Sequence, residues 1–102
     1  MAWLVEIFLP ITDNRGAPYP AEIFEALEEE LAAKYGGVTA FARAPAQGRW
    51  QNSGHQEQDD ILILEVMTPN LYVVWWHGLR RRLEQTLRQK RILMRAQEVR
   101  KL

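Results

Sequence analysis

Four charged side chains sit in stretches that are otherwise mostly apolar: Glu6 in WLVEIFLP, Arg43 in VTAFARA, Glu65 in ILILEVM and Arg95 in RILMRAQEV. A carboxylate in apolar surroundings resists ionisation, and a carboxyl with a raised pKa can take and return a proton near neutral pH. An arginine beside it can hold an anionic substrate in its planar fork. The same residues could instead form an ion-pair cluster that satisfies its own charges and sets the register between subunits. His55 belongs with them as the residue type most used for proton transfer, although a histidine on a polar loop is ordinarily just solvated. Trp50, next to Arg49 near a hairpin tip, needs something to cover its ring. Glu6, Glu65 and His55 are the candidate catalytic groups; Arg43, Arg95, Trp50 and Phe41 are the candidate ligand-binding ones.

Other chemistries have little footing. The chain has no cysteine, which removes a thiolate nucleophile, a disulfide framework and a cysteine-based zinc site. His55 and His77 are the only histidines and neither has matching acidic spacing, so no metal is expected. No serine, lysine and aspartate set suggests covalent catalysis. Gly36-Gly37 falls at a helix end, whereas phosphate-binding glycines open a helix, so no cofactor motif is present.

The elements that position the candidates follow from periodicity and breakers. Residues 3–10 read as a strand ending at Pro10, and Thr12 to Pro20 as a loop. Ile23, Phe24, Leu27, Leu31 and Tyr35 recur at helical spacing over 21–35, with Pro20 in the first turn and Gly36 as a left-handed cap. Val38–Ala44 and Asp59–Met67 read as strands of one hairpin. Asn52-Ser53-Gly54 would form its turn, with an irregularity near Pro45 to Gly48. Thr68 and Pro69 predict the start of a second helix reaching about Gln89. Its buried face would hold Leu71, Tyr72, Trp75, Trp76, Leu79, Leu83 and Leu87, with His77, Arg81, Glu84 and Arg88 opposite. One of the two adjacent tryptophan rings should fill the core and the other border it. Residues 91–99 close the chain as a strand.

The order βαββαβ predicts a single α+β domain over residues 1–102. It is a ferredoxin-like sandwich: a four-stranded antiparallel sheet in the order 4-1-3-2, with both helices on one face. The zero net charge hides a split: residues 1–65 carry eleven acids and four bases, and residues 66–102 nine bases and two acids. Laid side by side, the helices bring Glu25, Glu28, Glu29 and Glu30 towards Arg80, Arg81 and Arg82. The split thus needs no nucleic acid. The third strand, DDILILEVM, is acidic and aliphatic and lacks the bases and aromatics of an RNA platform. The first apolar run is broken by Glu6 and has no basic flank, so neither a signal peptide nor a membrane span is expected, and the cytoplasm is the default location.

Strand alternation turns Val5, Ile7, Leu9, Leu62, Leu64 and Val66 towards the helices. It leaves Leu4, Phe8, Phe41, Ile61, Ile63, Met67 and Leu93 on the other face, interrupted by Glu6, Glu65, Arg43 and Arg95. An unbulged hairpin pairs Phe41 with Glu65 and Arg43 with Ile63. So apolar a face marks an interaction site. In this architecture, and in the segment FARAPAQGRW, the chain resembles the dimeric α+β barrel superfamily, specifically small uncharacterised bacterial proteins with a GGVTA...RAPA.G.W pattern. That superfamily includes cofactor-free monooxygenases and muconolactone-type isomerases. The resemblance implies a homodimer packed sheet on sheet and carries no assigned activity. The expectation is a dimeric protein holding a small organic ligand on the open face, with cofactor-free acid/base catalysis as its enzymatic form. The alternative is a non-catalytic structural or regulatory interaction domain.

Overall fold

The computed structural model describes residues 1–43 and 61–102. The chain runs β1 (Ala2–Pro10), α1 (Ala21–Tyr35), β2 (Thr39–Arg43), β3 (Ile61–Thr68), α2 (Val73–Thr86) and β4 (Leu93–Val99). The strands form one antiparallel sheet in the order β2-β3-β1-β4. This is the expected ferredoxin-like arrangement.

One face of the sheet makes the core. Val5, Ile7 and Leu9 of β1 and Leu64 and Val66 of β3 pack with Phe24, Leu27 and Leu31 of α1 and Trp76, Leu79 and Leu83 of α2. Full burial of side chains such as Leu31 and Leu64 stabilises by about 1.5–3 kcal/mol each relative to exposure. Trp76 is buried, while Trp75 lies partly buried against the cluster. Helix α1 stops where predicted: Gly36 adopts φ 81° and its N–H donates to the Ala32 carbonyl at 2.8 Å. A side chain in that left-handed conformation would be strained.

The second helix departs from the expectation. It begins at Val73, because Thr68 is the last residue of β3, paired with Trp3 and buried. The Thr68 hydroxyl donates to the Asn70 carbonyl at 2.9 Å, closing a turn where a helix cap was predicted. Tyr72 is accordingly exposed, outside the core. Glu84 turns inward: its carboxylate accepts from the Ile92 N–H at 3.0 Å and fixes the connection to β4, which starts at Leu93. The helix ends at Thr86 with Leu87 as its cap, and Arg88 follows in the left-handed region at φ 52°.

Two long-range polar links hold the helices in place. The Tyr19 hydroxyl donates to the Leu87 carbonyl at 2.7 Å and accepts from Gln89 Nε2 at 2.7 Å, tying the β1–α1 loop to the end of α2. Arg82 pairs with Glu30 across the two helices, one of the contacts anticipated from the charge split. No helix among the described residues is long and apolar enough to cross a membrane.

Candidate functional site

The open face is organised around one row across the sheet. Glu6 on β1 lies opposite Glu65 on β3 in one direction and opposite Arg95 on β4 in the other, and Thr39 on β2 lies opposite Glu65. Even spacing along β1 puts Leu4 and Phe8 beside Glu6 on that face. The hairpin pairs Phe41 with Ile63 and Arg43 with Ile61, two residues away from the predicted register. A shift of two preserves the faces, so the open-face residues stay as assigned even though their partners change.

Glu6 is almost fully buried, and its Oε1 accepts from Arg95 Nε at 2.8 Å. The Arg95 guanidinium also lies over the Phe8 ring, 4.9 Å from its centroid. The carboxylate and the ring together fix the arginine's direction. Its side chain remains 62% exposed, and the bond to Glu6 runs through Nε. The two terminal amino groups of the fork take no hydrogen-bond partner among the described residues.

Glu65 lies beside Glu6 on the next strand. Its carboxyl pKa is raised above the ordinary value, first by burial and then by the Glu6 carboxyl beside it. Among the described residues the arginine pairs with one acid of the two, Glu6. Around them Ile63 is buried, Leu4, Phe8 and Ile61 are half-buried, and Phe41, Met67 and Leu93 are 47%, 45% and 57% exposed. The row is polar and set in an apolar surface.

Of the residues proposed from sequence, Glu6, Glu65, Arg95 and Phe41 share this face. Arg43 ends β2 on the same parity, but its side chain lies outside the described residues, as do Trp50, His55 and the Asn52-Ser53-Gly54 turn. His77 is exposed on α2, remote from the row in the fold. Two participants were not singled out beforehand as site residues: Phe8, whose role is to support Arg95, and Thr39, whose position depends on the hairpin register. Pairing parity could have found the first. Among the described residues no group of three or more acidic or histidine side chains is placed to hold a metal ion.

A second cluster lies on the helix side. Tyr35 stacks on Trp76 at 5.3 Å and meets Trp75 edge-on at 5.6 Å, with Lys34 Nζ 4.7 Å from the Trp75 ring centroid. Burial, and secondarily Tyr72, raise the Tyr35 phenol above its ordinary pKa. These rings close one end of the α1–α2 layer, and their contacts are those of a core margin.

No protein-family model matches this chain, and no curated protein does. Among solved structures it is similar to a phage SAM lyase in complex with S-methyl-5'-thioadenosine, at 15% sequence identity and a TM-score of 0.59. The alignment covers 95% of this chain and 81% of that one. At this identity the likeness establishes a shared fold.

Proposed function

We propose that this chain is a small-molecule-binding protein that works as a homodimer, with its ligand held on the open sheet face against Glu65, Glu6 and Arg95. The observation that carries this reading is the unequal pair. Arg95 pairs with Glu6 and leaves Glu65, directly opposite, without a salt-bridge partner among the described residues, and the Glu65 pKa is raised. A carboxyl whose pKa is raised holds its proton to higher pH, can give that proton to one atom of a bound substrate and can regain one from another atom of the same molecule, which requires no cofactor. The terminal amino groups of Arg95 supply an anchor for an anionic group on the ligand. Arg43, Trp50 and His55 belong to the proposed site by sequence position, on β2 and the segment that follows it.

Dimerisation supplies the missing wall. One sheet face offers only a surface, and ligand sites are ordinarily enclosed on several sides. Exposed Phe41, Met67 and Leu93 on that face support a second copy as its cover, as in the dimeric α+β barrels that the chain resembles. The similar phage enzyme, whose structure contains a nucleoside thioether, supports a small-molecule reading at the level of fold and suggests the first probes.

Size exclusion with light scattering, followed by titration calorimetry with S-methyl-5'-thioadenosine and S-adenosylmethionine, tests the proposal. A dimer that binds either probe saturably, with Arg95→Ala and Glu65→Gln weakening the binding at least tenfold, is the expected result. A strict monomer at micromolar concentration would remove the enclosed site. A dimer whose open face is dry and fully packed would favour the non-catalytic interaction domain, for which the same exposed apolar residues are the supporting observation.

A further inference from the structure

Gly78 lies in the middle of α2, where glycine is among the poorest helix formers. Nothing among the described residues requires it: a β-carbon built there meets none of their atoms within 4 Å, and the residue is exposed. It floors a groove of about 220 Å³ between the helices, lined also by Val74, Trp75, Leu79 and the Glu30–Arg82 pair. Val74, one turn before Gly78, is 86% exposed. A helix glycine beside an exposed valine, with no internal reason for its size, is what close approach by an outside backbone requires.

The charges beside the groove say what approaches. Helix α1 carries five glutamates and one lysine, and α2 carries three arginines and one glutamate. Glu30 and Arg82 satisfy each other within the chain, whereas Glu29 and Arg81 are exposed and take no salt-bridge partner among the described residues. Contacts of Glu30 with Arg82 and of Tyr35 with Trp76 show that the helices run antiparallel, with known residues at equal height. A twofold axis along the groove therefore lays α1 of one copy over α2 of the other at those same heights. Glu29 then faces Arg81 of the second copy, and exposed Ala33 faces its Gly78. The perpendicular in-plane axis would set α1 on α1 and acid against acid. Opposite charges and small residues thus coincide in one symmetric arrangement.

We infer that the α1–α2 face is a second self-association surface, on which another copy docks across the groove with Glu29 against Arg81 and Ala33 against Gly78. This does not depend on the ligand reading of the open face. Because the two surfaces lie on opposite sides of the sandwich, use of both builds species larger than a dimer.

Sedimentation velocity over a concentration series tests the inference. Glu29→Arg and Arg81→Glu should each weaken the association at least tenfold, and the double variant, complementary again, should restore it. Gly78→Ala should raise the melting temperature by roughly 4–8 °C through helix propensity while weakening association. About 1 M salt, with a screening length of ~3 Å, should weaken this contact and leave an open-face dimer intact. Leu93→Glu on the open face should do the reverse, which separates failure of one surface from failure of the other. Single charge variants that sediment like the parent, or a double variant that fails to restore association, would overturn the inference.

Discussion

Glu6 and Glu65 face each other directly across the β1–β3 ladder, two acids on adjacent central strands. Like charges in directly opposed positions destabilise a sheet. Arg95 relieves this only from the Glu6 side, through its Nε at 2.8 Å. On the Glu65 side, burial and the neighbouring Glu6 carboxyl raise the pKa, which favours holding a proton there over bearing a second charge.

The first prediction concerns pH. Burial and the Glu6 carboxyl both raise the Glu65 pKa from its ordinary 4.5 in the folded chain, so the folded state holds that proton more tightly than the unfolded state does. Its contribution to stability is fully present below the ordinary carboxylate pKa and is lost as pH rises through the raised value. Denaturant unfolding of the parent and of Glu65→Gln at fixed protein concentration should diverge over that window. The parent should lose stability relative to the variant as pH climbs, and the two curves should then run parallel. Parallel curves across the whole range would show that Glu65 titrates as an ordinary surface acid.

Replacing the other acid gives a different signature. Glu6→Gln keeps an oxygen for Arg95 but removes the charge. A fully buried pair broken on one side costs about 3–5 kcal/mol. Arg95 is 62% exposed and can rehydrate, so about 1–2 kcal/mol is expected here. The same change removes the Glu6 carboxyl from the causes that raise the Glu65 pKa, leaving burial. The pH divergence described above should therefore shrink in the Glu6→Gln background without vanishing. Unfolding of the double variant completes the cycle, and additivity would mean that the two carboxyls do not interact.

Much of this arrangement was legible in the residues, and the failures have physical reasons. Pro20 and Gly36 bracket α1, and its predicted bounds are those observed. Period-2 alternation put Glu6, Glu65 and Arg95 on one face, and strand order alone then brings them to adjacent strands. The hairpin register was not legible, because pairing depends on every residue between β2 and β3 and the turn motif fixes only its own neighbourhood. The error of two residues moved Thr39 into the row in place of Phe41. Thr68-Pro69-Asn70 misled because a hydroxyl followed by proline marks a strand-end turn as readily as a helix cap. Extended pairing of Thr68 with Trp3 decides between them. Inequality between the two carboxyls was not legible either, since it depends on the burial of each and on the choice of Arg95 between them.

Tyr19 offers a test of the fold's polar stitching. Its hydroxyl donates to the Leu87 carbonyl and accepts from Gln89, and its ring meets Phe24 edge-on at 6.3 Å. Tyr19→Phe keeps the ring contact and removes both hydrogen bonds, leaving a part-buried carbonyl at the end of α2 without this partner. A loss of about 1–2 kcal/mol is expected from unfolding measurements. Gln89→Ala should cost less, because the bond from Tyr19 to Leu87 survives it. Equal losses would indicate that Gln89, and not the tyrosine, secures the helix end.

Arg88 occupies a position that glycine would fill more easily. Beyond the Leu87 cap it adopts φ 52°, its N–H donates to the Gln85 carbonyl at 3.3 Å, and the Gln89 N–H reaches the Glu84 carbonyl at 2.9 Å. This pair of bonds is the Schellman closure of α2, the same left-handed stop that Gly36 provides for α1 without a β-carbon. An arginine there carries the strain of the left-handed region, of order 1 kcal/mol, with nothing in its type to announce it. Its charge offsets part of this by lying near the helix C-terminus. Arg88→Gly relieves the strain but loses the charge and loosens the unfolded chain, so the net gain should be modest, about 0.5 kcal/mol. Arg88→Ala keeps the strain and loses the charge, and should be less stable than the parent. The order glycine above arginine above alanine, read from urea midpoints at constant m-value, is the outcome that identifies backbone conformation as the cause. Alanine equal to glycine would place the cause in the side chain instead.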